Sequence, residues 1–356
     1  MPDGLVISID GMGGDHAPES VVDGVEIAAN KTPSTRFIIH GDQAKLEPLL
    51  VSRPGAKATS TIVHAEQAVS MEAKPSQALR QGRGTSMWNT LVEVEEGRAN
   101  AAVSAGNTGA LMAMARLRLR MVEGVHRPAI VGSWPTPAGF CVVLDIGANV
   151  EADAEQLVEF AIMGEAYHRA VYGAERPRVA LLNIGQEDMK GHDEIRAAAK
   201  LIREAGVNIN FIGFVEGDGI SGGGADVIVT DGFTGNIALK TGEGTAKLAA
   251  NFLRDALKSG PFAMLGGLIA YPALQKLKEK MDPRTVNGGV FLGLNGLVVK
   301  SHGGTDGRGF ASAIDVAMRM ARSHFRDEIT ANLARLSAEE ARQASAGSAQ
   351  NSASGA

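Results

Sequence analysis

The sequence predicts an α/β protein with a mainly parallel sheet. Short runs of β-branched and aliphatic residues alternate with longer segments of helical period, which is the pattern of repeated strand–helix–strand units. The 44 glycines favour tight turns between these elements. Apolar residues at 44% and charged residues at 21% give an ordinary globular balance, so the apolar runs can form a buried sheet.

Eight strands are predicted where apolar runs end at polar residues or glycine. They are Leu5–Asp10, Phe37–His40, Thr61–His64, Ala101–Ser104, Cys141–Asp145, Val179–Asn183, Asn208–Gly213 and Asp226–Thr230. Helix-opening signals follow most of them. Pro18 with Glu19 opens the first helix, because proline loses no hydrogen bond there and an acid favours the positive end of the dipole. Asp153, Thr234 and Ser312 are comparable starts.

The length of 356 residues permits one large α/β unit or two domains. Residues 1–334 are predicted to form one domain, because no linker rich in proline or serine divides its first 330 residues. An apolar helical flap at about 259–282 belongs to this domain. Residues 343–356 are almost entirely Ala, Ser, Gln, Gly and Asn. They are predicted to be a disordered tail, since they bury too little surface to offset ordering entropy.

The composition argues against several classes of protein. A net charge of -5 gives no general attraction to nucleic acid or to anionic membranes. Cys141 is the only cysteine, and its place in the apolar run Phe140–Leu144 predicts a buried thiol and no disulfide framework. No apolar run reaches the roughly 20 residues of a spanning helix, so the protein is predicted to be cytoplasmic unless something holds it at a membrane.

Four glycine-containing polar turns follow predicted strands and precede predicted helices. They are Ile9–Pro18, Ser104–Leu111, Asn183–Gly191 and Asp231–Asn236. In an open parallel sheet such turns gather at the carboxyl edge, where helix amino ends offer unpaired amides and a positive dipole to an anion. One turn alone is better explained by simple chain reversal. Four together, with Lys190 and Asn236 among them, predict a phosphate site.

The acidic and histidine residues near these turns do not predict a metal site. Asp10, Asp15 and His16 are close in sequence but lack the spacing of a zinc site. The turns also match neither a Walker lysine loop nor the glycine fingerprint of a dinucleotide fold. No metal and no cofactor are therefore expected. His16 and His302 remain candidates for substrate contact, because both follow strand-like runs.

A second informative segment runs from Pro261 to Asp282. It contains apolar residues followed by a lysine cluster, namely Phe262, Met264, Leu265, Leu268, Ile269, Tyr271, Leu274 and Leu277, then Lys276, Lys278 and Lys280. The uncharged stretch 261–273 is too short to span a bilayer but could lie in its interface, with the lysines beside anionic headgroups. A buried helical hairpin or a dimer contact explains the pattern equally well.

At these residues the chain resembles the phosphate acyltransferase family of bacterial phospholipid synthesis, which converts acyl carrier protein thioesters to acyl phosphates. The matching segments are Ile9–Pro18, Ser104–Met112, Arg127–Ala129, Leu144–Asn149, Leu181–Gly191, Gly213–Gly217, Asp231–Lys240 and Lys300–Gly303. The resemblance implies a three-layer α/β/α fold like that of isopropylmalate dehydrogenases and phosphate acetyltransferases. It also implies a homodimer, no metal, and peripheral membrane association through the flap. Val286–Val290 departs from many relatives, which carry tyrosine before the glycine pair and alanine after it.

The implied reaction needs no covalent enzyme intermediate, because phosphate is itself an oxyanion that can attack a thioester. The enzyme must hold both substrates in line and stabilise the tetrahedral oxyanion. Lys190 is expected to neutralise phosphate or this oxyanion, with Asn236 and Asn107 as hydrogen-bond donors. His16 is a candidate for positioning or protonating the leaving thiol.

The remaining site residues are expected to contact phosphate or substrate. They are Gly13, Gly14, Asp15, Thr108, Asp231, Thr234 and His302. Expected partners are inorganic phosphate, acyl carrier protein and a second copy of the chain, and nucleic acid is not among them. A membrane surface is a further partner, through Leu265, Leu268 and Ile269.

Acyl carrier protein is acidic, so its docking patch should be basic despite the negative net charge. Arg116, Arg118 and Arg120 are candidates, although alternating arginines also suit a solvated face.

Three other functions stay open. The nearest is a phosphate transacylase acting on acyl-coenzyme A, which shares the reaction. A decarboxylating dehydrogenase of the same fold would need clustered acidic metal ligands and a nucleotide loop, and neither is found. A non-catalytic membrane-surface adaptor would use the flap but would leave the four turns unexplained.

Overall fold

The computed structural model describes residues 4–204, 208–280, 282, 284, 287–325 and 327–336. In this part of the chain, one sheet of eleven strands runs through the molecule with helices on both faces. The single domain expected at 1–334 stays a prediction. The tail expected at 343–356 lies outside the described residues.

The strands are short and mostly buried. In chain order they are β1 Val6–Asp10, β2 Arg36–Gly41, β3 Ser60–His64, β4 Ala101–Ser104, β5 Ala129–Thr136, β6 Gly139–Leu144, β7 Arg178–Leu182, β8 Asn210–Val215, β9 Val227–Val229, β10 Gly289–Leu292 and β11 Leu297–Lys300. All eight strands predicted from the sequence are present, with bounds displaced by no more than two residues. Strands β5 and β10 were not predicted, and β11 is the strand-like run that precedes His302.

The helices connect these strands and cover the sheet. They are α1 Glu19–Lys31, α2 Gln43–Val51, α3 Pro54–Thr59, α4 Pro75–Gln81, α5 Ser86–Glu95, α6 Thr108–Leu119, α7 Ala154–Tyr172, α8 Asp193–Glu204, α9 Gly219–Gly222, α10 Gly232–Leu257, α11 Pro261–Lys280 and α12 Gly307–Arg322.

Two predicted helix starts are confirmed and two are wrong. Helix α1 begins directly after Pro18, and Asp153 caps α7 in a reciprocal capping box. Helix α10 begins before Thr234, and α12 begins before Ser312. In both cases an aspartate a few residues upstream takes the cap, because its carboxylate accepts an amide of the first turn.

The sheet is mainly parallel but changes direction near its middle. Its order is β3-β2-β1-β4-β11-β10-β5-β6-β9-β7-β8. The first five of these strands run parallel to one another, and so do the last four. The three antiparallel pairings β11–β10, β10–β5 and β5–β6 lie between them, so the two outer sets run in opposite directions.

Successive apolar side chains point to opposite faces of the sheet, which builds the three layers. In β11, Leu297 and Val299 pack with α1, α7 and α12, whereas Val298 packs with α5 and α6. The same period of two places Val103 on the first face and Ala102 on the second. This confirms the predicted α/β/α architecture.

Helices α10 and α11 form an extended helical pair that is only lightly covered. Of the 26 residues of α10, only Gly232 and Gly235 are buried. On α11, Leu265, Leu268 and Ile269 are 56%, 71% and 75% exposed. Burial of these three side chains inside a single chain, one alternative for the flap, is therefore wrong.

Candidate active site

Four neighbouring parallel strands each carry a polar residue at their last or next-to-last position, and the strand register sets these residues side by side. Together they form what we call the polar row: His40 on β2, Asp10 on β1, Ser104 on β4 and Lys300 on β11. Ser104 and Lys300 lie two positions after Ala102 and Val298, which face α5 and α6. Asp10 and His40 directly follow Ile9 and Ile39, which face the opposite side, so all four side chains belong to the face of α5 and α6.

Asp10 and Ser104 form a buried hydrogen-bonded pair in this row. The Asp10 Oδ2 accepts the Ser104 hydroxyl at 2.6 Å, and the Ser104 oxygen accepts the Gly106 amide at 3.0 Å. Burial raises the pKa of Asp10, although its hydrogen bonds and Lys300 act in the opposite direction. His40 is wholly buried, and burial lowers the pKa of its imidazole to about 4.

Lys300 is the cation of the polar row. Its Nζ donates to the Ala105 carbonyl at 3.3 Å and also contacts the Ser301 carbonyl. Burial lowers the pKa of Lys300 to about 8, while the charges of Asp10 and Asp15 raise it. In the part of the chain that the structure describes, no carboxylate forms a salt bridge with this ammonium.

The turn after β1 closes over the row. A Cβ on Gly13 would overlap the Asp10 carboxylate and lie 2.8 Å from the Gly106 amide nitrogen. Gly14 has a φ of +115°, which side chains rarely adopt. The Asp15 amide donates to the Gly303 carbonyl at 2.9 Å, so this turn is tied to the loop after β11.

Asn107 stabilises its own surroundings. Its Oδ1 accepts the Ala110 amide at 2.9 Å, and its Nδ2 donates to the carbonyls of Met71 at 2.7 Å and Ala73 at 3.0 Å. Both side-chain hydrogens are used in these bonds, which argues against its expected role as a donor to the oxyanion. Thr108 is exposed at the first residue of α6, where backbone amides lack an intrahelical partner.

The two candidate histidines lie at the rim of this first group of turns. Both are exposed. The Nδ1 of His302 accepts the Gly304 amide at 3.2 Å, and the His302 amide donates to Asn287 Oδ1 at 2.9 Å. These bonds shape the loop after β11. Among the described residues, none forms a hydrogen bond or ion pair with the His16 ring, which is therefore free to contact a ligand.

A second group of turns follows β6, β7 and β9. In the β6 turn, the buried Asp145 carboxylate accepts the amides of Ile130, Gly147, Ala148 and Asn149 at 2.6 to 3.1 Å. Burial raises the pKa of Asp145, and the backbone hydrogen bonds oppose this change. Its carboxylate therefore shapes the loop and is shielded from a ligand.

Lys190 is an exposed cation on a loop that a hydrogen bond holds in place. The Asn183 Nδ2 donates to the Lys190 carbonyl at 3.1 Å and holds the loop against β7. Gly191 has a φ of +85°, and a Cβ there would overlap the Asn183 side chain. No ion pair neutralises the Lys190 ammonium within the described ranges.

Helix α10 supplies the remaining predicted residues of the second group. Asp231 caps it by accepting the Thr234 amide and the Thr234 hydroxyl, both at 2.8 Å. The Thr234 hydroxyl hydrogen is therefore used within the protein, which argues against its expected contact with phosphate. Asn236 is exposed on the first turn and faces Gly147, where a Cβ would lie 3.7 Å from the Asn236 Oδ1.

The four predicted turns do not share one edge of a uniform sheet, because the strand sets before the two groups run in opposite directions. Sheet twist of about 20–25° per pair accumulates to roughly 100–125° over the five pairs from β1 to β6. We expect this rotation to turn both sets of carboxyl ends toward one side. Ile146 and Ala148 of the second group pack on the same apolar cluster as Ala73 and Met112 of the first, so the two groups adjoin one cluster.

The other candidates for chemistry are limited. Across the described residues, no three His, Cys, Asp or Glu side chains are grouped to hold a metal ion. Cys141 is buried as predicted, and burial raises the pKa of its thiol to about 12. Arg118 pairs with Glu95 and lies 5.1 Å above the Trp88 ring, so it supports the fold, whereas Arg116 is exposed.

Lys300 and the polar row were missed in the sequence analysis. The sequence did contain a signal for them, since each of the four is the polar residue that follows a short, mainly apolar run. Their importance depends on strand order, which places β11 beside β4 although the two lie far apart in the chain.

Comparison with known proteins covers nearly the whole chain. Residues 5–328 match the family described as "Fatty acid synthesis protein". A curated relative named phosphate acyltransferase, from Caulobacter vibrioides, is 56% identical over 341 residues, covering 96% of this chain and 95% of the relative. A protein of the same name from Maricaulis maris is 55% identical over 345 residues, with coverage of 96% and 98%.

Two solved structures share the fold. A phosphotransacetylase from Streptococcus pyogenes gives a TM-score of 0.60 at 17% identity, covering 90% of this chain and 95% of its own. The EutD phosphotransacetylase from Staphylococcus aureus gives 0.57 at 18% identity, with coverage of 89% and 94%. At these identities the likeness concerns the fold alone.

Proposed function

Because the chain belongs to the Fatty acid synthesis protein family and is an acyltransferase, we propose that it transfers a long-chain acyl group from acyl carrier protein to inorganic phosphate. The product would be an acyl phosphate for phospholipid synthesis. The observation that carries this proposal is the identity of 55–56%, over nearly the full length, to relatives named phosphate acyltransferase.

The proposed chemistry fits turns that carry helix amino ends and free cations. An oxygen of phosphate attacks the carbonyl carbon of the thioester, and a tetrahedral oxyanion forms. The carbon–sulfur bond then breaks, and the proton of hydrogen phosphate ends on the carrier thiol. The protein contributes alignment of the two substrates and stabilisation of the oxyanion, without a covalent intermediate.

Lys190 and Asn236 are the proposed oxyanion-stabilising residues of the second group, since both are exposed there. Because the Asn107 side-chain amide already donates to two backbone carbonyls, we propose the backbone amides of Thr108 and Gly109 at the start of α6 as donors to the oxyanion in its place. His16 remains the proposed partner of the leaving thiol.

The test is incubation of the purified protein with palmitoyl-acyl carrier protein, with and without inorganic phosphate, followed by mass detection of acyl phosphate. Thioester loss should depend on phosphate and survive chelator treatment. Turnover that requires a metal ion would refute the mechanism. Equal turnover with palmitoyl-coenzyme A would transfer the proposal to a coenzyme A-dependent transacylase.

The exposed helical pair α10–α11 supports two proposed contacts, with a second copy of the chain and with a membrane surface. Among the described residues, none of the helices is both long and apolar enough to cross a bilayer. Leu265, Leu268 and Ile269 could still enter the interface. Burial of three such side chains contributes roughly 4–9 kcal/mol before ordering costs, at about 1.5–3 kcal/mol each. Release there would suit a product with a long apolar tail.

Leu268→Glu tests the membrane contact. It should reduce sedimentation with anionic vesicles and leave turnover of the soluble thioester largely intact. Val51→Glu is the matched control, because Val51 is 69% exposed on α2, outside the helical pair. Unchanged vesicle binding by folded Leu268→Glu protein would remove Leu268 as an anchor. A split dimer would instead assign this residue to the contact between copies.

A further inference from the structure

One partly buried cation, Lys300, has no part in the roles proposed above. Lys300 lies at the carboxyl end of β11, beneath the glycine turn that follows β1. We propose that Lys300 binds the inorganic phosphate nucleophile, an inference that rests on the phosphate chemistry proposed for this site. Lys190 would then act mainly on the thioester oxyanion.

The hydrogen bonds of Lys300 leave part of its binding capacity free. An ammonium carries three donors, and two of them meet the carbonyls of Ala105 and Ser301. These carbonyls orient the ammonium without neutralising it. The third N–H remains available to an anion, and the nearby charges of Asp10 and Asp15 compensate the positive charge only in part, since neither carboxylate forms a salt bridge with it among the described residues.

The groups around Lys300 suit a phosphate. The Ala105 carbonyl that it contacts lies 3.6 Å from the position of a Cβ on Gly14, so the ammonium is near the glycine pair Gly13–Gly14 of this turn. Backbone amides can approach a ligand closely at such a turn. The amino end of the 12-residue helix α6 starts from the same strand edge and adds unpaired amides and a favourable dipole.

Lys300 is also the member of the polar row nearest the second group. Only β10 and β5 separate β11 from β6. Three strand spacings of about 4.8 Å give roughly 14 Å between these strands. A phosphate at Lys300 would therefore lie on the side of the first group that is nearest to β6 in the order of the sheet.

Titration offers a signature of this role. The charged groups facing Lys300 are Asp10 and Asp15, with His302 in the loop that follows it. Burial lowers the pKa of Lys300 to about 8, so its charge is present at neutral pH and lost above that value. Phosphate is already dianionic in that range, so a loss of affinity there reports on the lysine.

The experiment measures phosphate binding by calorimetry without an acyl donor, together with the KM values of both substrates. Lys300→Met removes the charge and keeps most of the stem, whereas Lys300→Arg keeps a charge that does not titrate. Lys45→Met is the control, because Lys45 is exposed on α2. Thermal stability is recorded for every variant.

Lys300→Met should weaken phosphate binding roughly 10- to 100-fold, the usual loss for a hydrogen bond to a charged group. The KM for palmitoyl-acyl carrier protein should stay within about twofold. Affinity of the unmodified protein should fall as pH rises through about 8, and that of Lys300→Arg should not.

Unchanged phosphate affinity in a folded Lys300→Met protein would overturn the inference, and so would an identical alkaline decline in Lys300→Arg. If Lys300→Met fails to fold, the pH profile of Lys300→Arg decides. Because binding is measured without a donor, phosphate binding that depends on Lys300 would support the inference even if acyl carrier protein proved to be the wrong donor.

Discussion

The two groups of turns differ in how many of their polar side chains are already hydrogen-bonded or buried inside the protein. In the first group, Asp10, Ser104 and Asn107 donate or accept within the fold, and His40 is wholly buried. In the second group, Lys190 and Asn236 are exposed on a loop and a first helical turn. Substitutions of Asp10, Ser104 and His40 should therefore mainly change stability, and substitutions of Lys190 and Asn236 mainly turnover.

The largest expected effect tests the second half of this contrast. Lys190→Ala should lower turnover about 100- to 1000-fold, the typical cost of losing one oxyanion-stabilising group. The melting temperature should hardly change, since the Lys190 side chain is exposed. Steady-state kinetics and thermal denaturation measure both. Lys200→Ala, an exposed lysine on the neighbouring helix α8, is the control, and near-normal activity in Lys190→Ala would remove that residue from the mechanism.

The next effect concerns stability in the first group. The pKa of His40 is about 4 in the folded protein and 6.5 ordinarily, so below pH 6.5 the unfolded chain binds a proton that the folded chain does not. Stability should fall as pH decreases from about 6.5 to 4, by up to about 3 kcal/mol at 1.36 kcal/mol per pKa unit. Above pH 6.5 this contribution is constant.

Urea denaturation across this pH range measures the effect. His40→Leu should flatten the decline relative to the unmodified protein. His324→Gln should preserve it, because the His324 side chain is 89% exposed. A decline of the same size in His40→Leu would show that other groups cause it.

The smallest expected effect concerns Thr234, which differs from Lys190 and Asn236 in the second group because its hydroxyl is hydrogen-bonded inside the protein. Thr234→Val should leave the KM for phosphate within about twofold, because the Thr234 hydroxyl already donates to Asp231. Loss of that bond should cost about 1 kcal/mol of stability, and Thr234→Ser should retain it. A large rise in the phosphate KM of Thr234→Val alone would reinstate the hydroxyl as a ligand.

The predictable and unpredictable parts of the fold have different physical origins. Strands β1 and β7 are bounded by turn residues and were found, because local pattern determines them. Strand β5 contains Gly132 and Pro135, and β10 is four residues long after a glycine pair, so both resemble loops locally. Their pairing with distant strands stabilises them.

The same limit applies to the candidate site. Lys190 and Asn236 were recognised because they lie within glycine-containing turns. The hydrogen bonds that Asn107 and Thr234 form inside the protein depend on the positions of neighbouring groups, which the spacing of residues in the sequence does not give. Lys300 ends an apolar run, and its relation to Asp10 and Ser104 exists only after β11 has entered the sheet.

The position of β11 also affects the order in which the chain can fold during synthesis. Leu297 pairs with Ala101, so the edge of β4 stays open until the carboxyl-terminal part of the chain has left the ribosome. Helix α12, which packs on α1, arrives later still. Closing such long loops is slow, and an open strand edge can pair with other chains. Nascent chains that stop before residue 297 should therefore depend on chaperones and aggregate when these are absent.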